Sequence, residues 1–147
     1  MTRTNDYGPE RLSARLRLAL AAAAMCLLGP LTTAACLQPN PAGLGTHRQL
    51  GLPPCTFIWL FDTRCPSCGM TTSWAHAVRG HWLRAAESNA GGAVLAAAAM
   101  LAGPWLLISA ARGAWWIGAP NDRALAVCAV GVVAITLIDW ICRLRGG

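Results

Sequence analysis

The chain has 147 residues, of which 55% are hydrophobic and only 12% are charged. Soluble domains carry about 25% charged residues, so this composition argues against an ordinary soluble domain and favours a membrane protein. The net charge is +6, but the basic residues are all arginines scattered at the ends of segments. Nucleic-acid binding needs a dense basic stripe, so we expect the partner of these arginines to be the lipid bilayer and not nucleic acid.

The first long uncharged run follows a polar N-terminal tail over residues 1–17. Leu18 to Leu37 contains twenty residues without a charge, and a helix of that length spans about 30 Å, the thickness of a bilayer's hydrocarbon core. Pro30 lies inside the run and predicts a kink. A cleaved signal ending near Cys36 is the alternative, because a basic flank, an apolar stretch and small residues also characterise such signals. We interpret the run as a retained transmembrane helix.

Residues 38–89 are predicted to form a cysteine-containing loop followed by an amphipathic helix. Gln38 to Leu52 is rich in proline and glycine, which indicates a loop. Thr56 to Phe61 is apolar but too short to span; a strand is possible, and an interfacial or re-entrant helix is favoured by its tryptophan. Met70 to Glu87 predicts one amphipathic helix with two tryptophans on one face and Arg79 on the other. Such a helix suits the membrane interface, or it packs on the spans.

Two more uncharged runs follow. Ala90 to Ala111 has 22 residues and is interrupted by Gly103-Pro104. The third run is Ala124 to Ile138, and counting on to Cys142 gives 19 residues, just enough to span. Asp139 and Arg143 are four residues apart with the acid first, the favourable order for a helical ion pair. An acidic residue near a span can mark an ion path, but at a helix end beside a tryptophan we interpret it as an interface anchor.

These segments together predict an all-α integral membrane protein with a single membrane domain over residues 18–147. It has three transmembrane helices and an interfacial amphipathic helix after a Cys-Pro-x-Cys-Gly knuckle. The twelve arginines divide evenly between the two sides, but the positive-inside rule gives most weight to the first helix, whose preceding tail carries four. We therefore expect the inner membrane, with a cytoplasmic N-terminus and the cysteine segment outside. The predicted spans are residues 18–37, 90–111 and 124–142.

The residues with the clearest potential for chemistry are Cys55, Cys65 and Cys68. Two cysteines at C-x-x-C spacing can bind one metal ion, because a tight turn directs both sulfurs toward one point. A tetrahedral zinc site needs four ligands. Cys55 is a candidate third ligand, and one of the three histidines is a candidate fourth; we include His76 in the predicted set, with His47 and His81 as alternatives. A usual structural site has two such paired elements, and this chain has one.

The same cysteines allow a redox interpretation. A C-x-x-C pair beside a helix start can have a lowered thiol pKa, and Cys65 and Cys68 could then alternate between dithiol and disulfide. A plain structural disulfide is a further alternative if the loop lies in an oxidising compartment. The βαβ context of thioredoxin-like proteins is absent, and no residue is predicted to be catalytic. Thr71, Thr72 and Ser73 are expected to cap the helix that follows.

The middle segment carries a recognisable series of motifs. They are Leu50-Gly51-Leu52-Pro53-Pro54-Cys55, Cys65-Pro66-Ser67-Cys68-Gly69-Met70-Thr71-Thr72, Gly80, and Ala85 to Gly91. These motifs resemble the domain-of-unknown-function 2752 family, and the resemblance covers about Gly45 to Ala111. The chain departs from the family pattern at two places, with Thr71-Thr72 for Thr-Arg and Asn89-Ala90 for Asn-Pro, so that Gly91-Gly92 is expected to supply the break before the second span.

The resemblance implies a small bacterial membrane protein in which Cys55, Cys65 and Cys68 matter, and it supplies no reaction. Our first hypothesis is a non-enzymatic multi-pass membrane protein whose cysteine segment is a structural or metal-binding element, with zinc as the candidate ion. The alternative is a membrane thiol-disulfide redox protein that uses Cys65 and Cys68.

Overall fold

The computed structural model describes residues 11–145, and this range contains helices and no strand. Residues 1–10 of the predicted polar tail lie outside the described residues. Three of the helices are long and apolar enough to cross a membrane, so the predicted all-α fold with three candidate transmembrane helices is confirmed. The helices in chain order are α1 (Ala14–Cys36), a 3₁₀ turn (Thr46–Leu50), α2 (Thr56–Phe61), α3 (Met70–Ala77), α4 (Trp82–Ser88), α5 (Ala90–Arg112) and α6 (Asp122–Arg145).

Helices α1 and α5 pack antiparallel and form most of the core. The guanidinium of Arg17 in the first turn of α1 donates through Nε to the carbonyl of Ala110 in the last turn of α5, at 2.8 Å. Near the middle, the side chain of Leu28 covers Gly103, where an added Cβ would lie 2.6 Å from Leu28 Cδ2. Small residues at a helix interface let two backbones approach closely, which is how helices associate where lipid competes for apolar surface.

Helix α6 contacts α5 but contributes no buried residue. It approaches α5 closely at Gly91, where an added Cβ would clash with Thr136 Oγ1 and lie 3.1 Å from Thr136 Cα. The exposed faces of α6 carry valine, isoleucine and leucine side chains. In a bilayer these side chains contact lipid, whose acyl tails are as apolar as they are.

The segment predicted as one amphipathic helix over Met70–Glu87 is instead two helices, α3 and α4. Gly80 adopts a left-handed conformation with φ of +78°. Its N–H donates to the carbonyl of Ala77, and the N–H of His81 donates to the carbonyl of His76. This is the hydrogen-bond pattern of a Schellman cap, which ends a helix at a glycine. Most of α3 is buried, so it packs on the spans; a position in the membrane interface stays a prediction.

Arg79, beside this turn, joins α3 to the end of α1. Its guanidinium donates to the carbonyls of Ala35 and Leu37 at 3.0 and 2.7 Å and to Ala75 at 2.6 Å. The last carbonyls of a helix lack partners within the helix, and they carry partial negative charge. A cation at that position donates hydrogen bonds to the free carbonyls and compensates their partial negative charge. Arg79 therefore fixes the cysteine segment at the C-terminal end of α1.

The contact at Gly91 yields a test of how α6 is held. Gly91→Ala should weaken the packing of α6 on α5 by about 1–3 kcal/mol, because the new methyl group meets Thr136 and its backbone. The measurement is the midpoint of reversible detergent-induced unfolding. Gly131→Ala in α6 is the matched control, since nothing lies within 4 Å of its added Cβ, and its effect should be neutral or stabilising by up to about 1 kcal/mol. Equal destabilisation of the two variants would contradict the packing described.

Candidate metal centre

The sulfur atoms of Cys55, Cys65 and Cys68 lie close together, all within 4.8 Å of one another. We call these three residues the cysteine cluster. Cys65 Sγ lies 3.1 Å from Cys68 Sγ and 3.6 Å from Cys55 Sγ. The three residues are half-buried, and none of them forms a disulfide. Three convergent thiols can hold a metal ion, since thiolate sulfur is a strong ligand for soft and borderline cations.

The second and third members of the cluster lie on a tight turn, residues 65–69, which we call the Cys knuckle. The N–H of Cys68 donates to the carbonyl of Cys65 at 3.0 Å, and the N–H of Met70 donates to Ser67 at 3.1 Å. Pro66 suits the second position of such a turn because its ring presets φ. The turn therefore brings the two sulfurs to the same side before any ion is bound.

Gly69 closes the knuckle, and no other residue fits there. Its φ is +87°, a conformation that side chains with a Cβ disfavour. An added Cβ would also lie 2.3 Å from the carbonyl oxygen of Ser88 and 2.8 Å from that of Gly43. Both neighbours are backbone atoms and cannot rotate away. Gly69 is thus required by its conformation and by the close approach of two other chain segments.

Asn89 connects the knuckle to α5. This residue is 1% exposed. Its Nδ2 donates to the carbonyls of Pro66 and Cys68 at 2.9 and 3.2 Å, while its Oδ1 accepts the N–H of Gly92 at 2.6 Å and so caps α5. The break before the second span therefore lies at Asn89, and the expectation that Gly91-Gly92 supplies it is wrong, because both glycines are helical.

Helix α6 reaches the same region through its last turns. Trp140 Nε1 donates to the carbonyl of Arg64, just before the knuckle, at 2.6 Å. Arg143 forms the predicted ion pair with Asp139 and donates to the carbonyl of Ser88 at 2.6 Å. The Asp139 carboxylate also accepts the N–H of Ala90 at 3.2 Å. A negative charge at this position stabilises α5, because the N-terminal end of a helix carries partial positive charge. Asp139 therefore acts in the structure as a structural anchor between two helices.

The loop after α1 lies over the cluster. Thr46 and Thr72 are buried, and their hydroxyl oxygens lie 2.7 Å apart. The loop and the knuckle together line a partly open cavity of about 580 Å³, whose lining includes the three cysteines, His47 and Arg48. The N-cap of α3 is Gly69, and no side-chain hydrogen bond caps the helix, so the expected capping by Thr71, Thr72 and Ser73 is wrong. The hydroxyl of Ser73 instead donates to the carbonyl of Asn89 at 3.0 Å.

The surroundings of two cysteines shift their acidity in opposite directions. The backbone N–H of Ile58, in the first turn of α2, stabilises the thiolate of Cys55 and lowers its pKa. Burial, followed by hydrogen bonding with the Cys65 thiol, raises the pKa of Cys68 to about 12. A catalytic thiol needs a lowered pKa, so Cys68 without an ion keeps its proton at neutral pH and is a poor nucleophile.

The structure does not bring His76 to the cluster. No His, Asp or Glu side chain in residues 11–145 groups with the three sulfurs. His76 lies in α3 with its ring 6.0 Å from that of His81, and burial lowers its pKa. Of the three histidines, His47 is the one that lines the cavity with the cysteines.

Sequence reasoning missed Asn89 as a supporting residue of the knuckle. The signal was present, because an asparagine directly before a long uncharged run is a strong N-cap candidate. Its two bonds to knuckle carbonyls had no local signal, since they join residues 21 and 23 positions apart.

Asn89→Ala should lower the free energy of unfolding by about 1–3 kcal/mol, because it leaves the buried knuckle carbonyls without donors. It should also speed the reaction of Cys65 and Cys68 with a thiol reagent in the metal-free protein. Asn121→Ala is the control: the Oδ1 of Asn121 accepts the N–H of Arg123 at an exposed position, and its loss should cost about 1 kcal/mol or less. Unchanged cysteine reactivity in Asn89→Ala would count against a supporting role.

Comparison with known proteins gives one match. Residues 55–103 match a family model described as "Protein of unknown function (DUF2752)", whereas no curated protein and no solved structure matches the chain. The matched range is about a third of the chain. It contains the cysteine cluster, the knuckle, Asn89 and the first half of α5. The resemblance predicted from the Cys-Pro-x-Cys-Gly core is therefore confirmed over residues 55–103, which match the model of this family of unknown function.

Proposed function

We propose that the chain is a multi-pass membrane protein, with a single membrane domain, in which Cys55, Cys65 and Cys68 bind a structural zinc ion. The observation that carries the proposal is the convergence of a third sulfur, from the residue that precedes α2, on the C-x-x-C pair. A disulfide uses two cysteines and leaves the third without a role. A metal ion uses all three.

The distances between the sulfurs favour a metal ion over a disulfide. Zinc–sulfur bonds of about 2.3 Å in a tetrahedron place sulfurs roughly 3.8 Å apart. The Cys55–Cys65 separation of 3.6 Å is close to this value, and the Cys65–Cys68 separation of 3.1 Å needs a small opening of the turn. A disulfide requires about 2.05 Å, so that pair would have to close by more than it would open for zinc.

The surroundings of the cluster explain what a structural ion would stabilise. Helix α2 has no buried residue, and Trp59, Leu60 and Phe61 are exposed on it. Burial of side chains therefore does little to hold α2 in place. Cys55 is its N-cap residue, so a bond from an ion to Cys55 would fix α2 against the knuckle. Binding free energy at such a site becomes folding free energy.

The bilayer is the proposed partner of the long helices, in the inner membrane. The contacts described above support a topology in which the C-terminal ends of α1 and α6, the N-terminal end of α5 and the cysteine cluster lie on the same side of the bilayer. The arginines of the N-terminal tail favour a cytoplasmic N-terminus, which would put the cluster outside. No enzymatic activity is proposed.

A thiol-disulfide redox protein is the second candidate, and the placement of Cys65 and Cys68 on one tight turn directly before α3 supports it. In that function the two thiols would form a disulfide while a disulfide of a partner is reduced to its dithiol. Cys55 would then have no direct part.

Metal analysis of the purified protein in detergent should find about one zinc per chain. Cys55→Ser, Cys65→Ser and Cys68→Ser should each lose it, while Cys128→Ser, at an exposed position in α6, should keep it. A wild-type protein without bound metal, combined with a reductant-dependent change in labelling of Cys65 and Cys68 alone, would contradict the zinc site and favour the redox function.

Orientation can be measured in a chain that keeps the cluster but has serine at its other four cysteines. Leu50→Cys lies on the exposed 3₁₀ turn beside the cluster, and Ala119→Cys lies in the loop between α5 and α6. Compared with the parent chain that has neither new cysteine, a membrane-impermeant thiol reagent applied to intact cells should add label to the first variant and none to the second. The opposite pattern would place the cluster in the cytoplasm and contradict the proposed orientation.

A further inference from the structure

A zinc site built from the cysteine cluster lacks one ligand. Structural zinc is almost always four-coordinate, and the cluster supplies three sulfurs. We propose that His47 supplies the fourth ligand through Nδ1, so that the ion joins the loop after α1 to the knuckle. This inference rests on the proposed function and names the coordination of that same site.

His47 is the histidine positioned for this role. It lines the cavity that the three cysteines also line. The other two histidines pair with each other, with ring centroids 6.0 Å apart, and neither lines that cavity. No Asp or Glu lines it either among the residues that the structure describes. The choice between the three histidines, which the sequence leaves open, is thus made by the fold.

The backbone at His47 is fixed relative to the knuckle. Its neighbour Thr46 is 1% exposed and shares a hydrogen bond with Thr72, three residues after Gly69. Thr46 Oγ1 also accepts the N–H of Asn40 at 3.0 Å, which holds the loop itself. Because His47 is adjacent to this buried contact, the fold holds its backbone beside the cavity, and the loop does not move freely there.

The hydrogen bond of the His47 ring leaves the correct nitrogen available. Nε2 lies 3.2 Å from the carbonyl oxygen of Pro53. In the neutral ring one nitrogen donates and the other accepts, so donation from Nε2 to Pro53 leaves the lone pair on Nδ1. Zinc-bound histidines almost always donate their second ring N–H to a carbonyl, carboxylate or water in this way. Pro53 lies two residues before Cys55, so the supporting carbonyl and a sulfur ligand belong to the same short stretch of chain.

Coordination requires a local movement. The ring nitrogens of His47 fall outside the grouping of the three sulfurs, so the ring must turn toward them as the ion enters. The cavity of about 580 Å³ lined by both provides the space.

The test is X-ray absorption spectroscopy of the zinc-loaded full-length protein in detergent, together with zinc affinity by chelator competition. The wild type should show three sulfur ligands and one imidazole. His47→Ala should lose the imidazole signature and weaken zinc binding by more than about 100-fold, beyond the 10–100-fold typical for loss of a supporting partner alone. His76→Ala is the matched control and should change neither quantity.

If His47→Ala fails to fold, the variant His47→Cys tests the same ligand. It should bind zinc with four sulfur ligands and show no imidazole signature. Zinc bound to the wild type with three sulfurs and an oxygen ligand would overturn the role of His47 and leave the metal site standing. An imidazole signature that disappears in His76→Ala would also overturn it. A wild type that binds no zinc would overturn the proposed function itself.

Discussion

The arrangement of the cysteine segment depends on the buried side-chain amide of Asn89. This single group makes three hydrogen bonds, two to carbonyls of the knuckle and one to the N–H of Gly92. An unpaired amide buried at that depth would be costly, so its bonds specify one relative position of the knuckle and the first turn of α5. Ser88, the residue before it, presents its carbonyl to Arg143 of α6 and packs against Gly69. Residues 88 and 89 thereby attach the Cys knuckle, which carries the sulfurs of Cys65 and Cys68, to both α5 and α6.

The long helices are held mainly at their ends and by small residues between them. Arg17 and Arg79 donate to the last carbonyls of α5 and α1 respectively, so each helix end has a cation from a neighbouring segment. In a membrane the middle of each helix meets lipid or another apolar helix with little difference in free energy. Polar contacts at the ends, where water and headgroups begin, therefore determine which helices are neighbours.

The main features of the fold were predictable because they depend on local composition. Three long uncharged runs give three candidate spans whatever they pack against, and the spacing of Asp139 and Arg143 gives an ion pair within one helix. The prediction of a single amphipathic helix over Met70–Glu87 is wrong. It rests on the periodic spacing of the tryptophans and gives too little weight to Gly80. Gly80 ends α3 in a left-handed conformation, a stop signal that the sequence did contain.

Only part of the candidate site could be predicted from the sequence, because the rest depends on contacts between residues that are distant in the chain. A C-x-x-C turn is local, so Cys65 and Cys68 stand out in the sequence. Cys55 could be paired with them because only nine residues intervene. The sequence prediction included His76, but the histidine that lines the cavity with the cysteines is His47. Its position depends on the buried contact of Thr46 with Thr72, which joins residues 26 positions apart. Nothing near His76 in the sequence shows that its ring faces His81 instead.

Because of where the cluster lies, a metal ion bound there would stabilise more than the short helices around it. Helix α6 has no buried residue, and Trp140 and Arg143 join it to the carbonyls of Arg64 and Ser88, on either side of the knuckle. These contacts exist only while residues 64–88 keep their shape. An ion that stiffens this segment would therefore also stiffen the attachment of the third span, although it touches no residue of that span. At the opposite end α5 and α6 are joined by the loop over residues 113–121, so the end that carries the cluster determines how firmly α6 is held to α5.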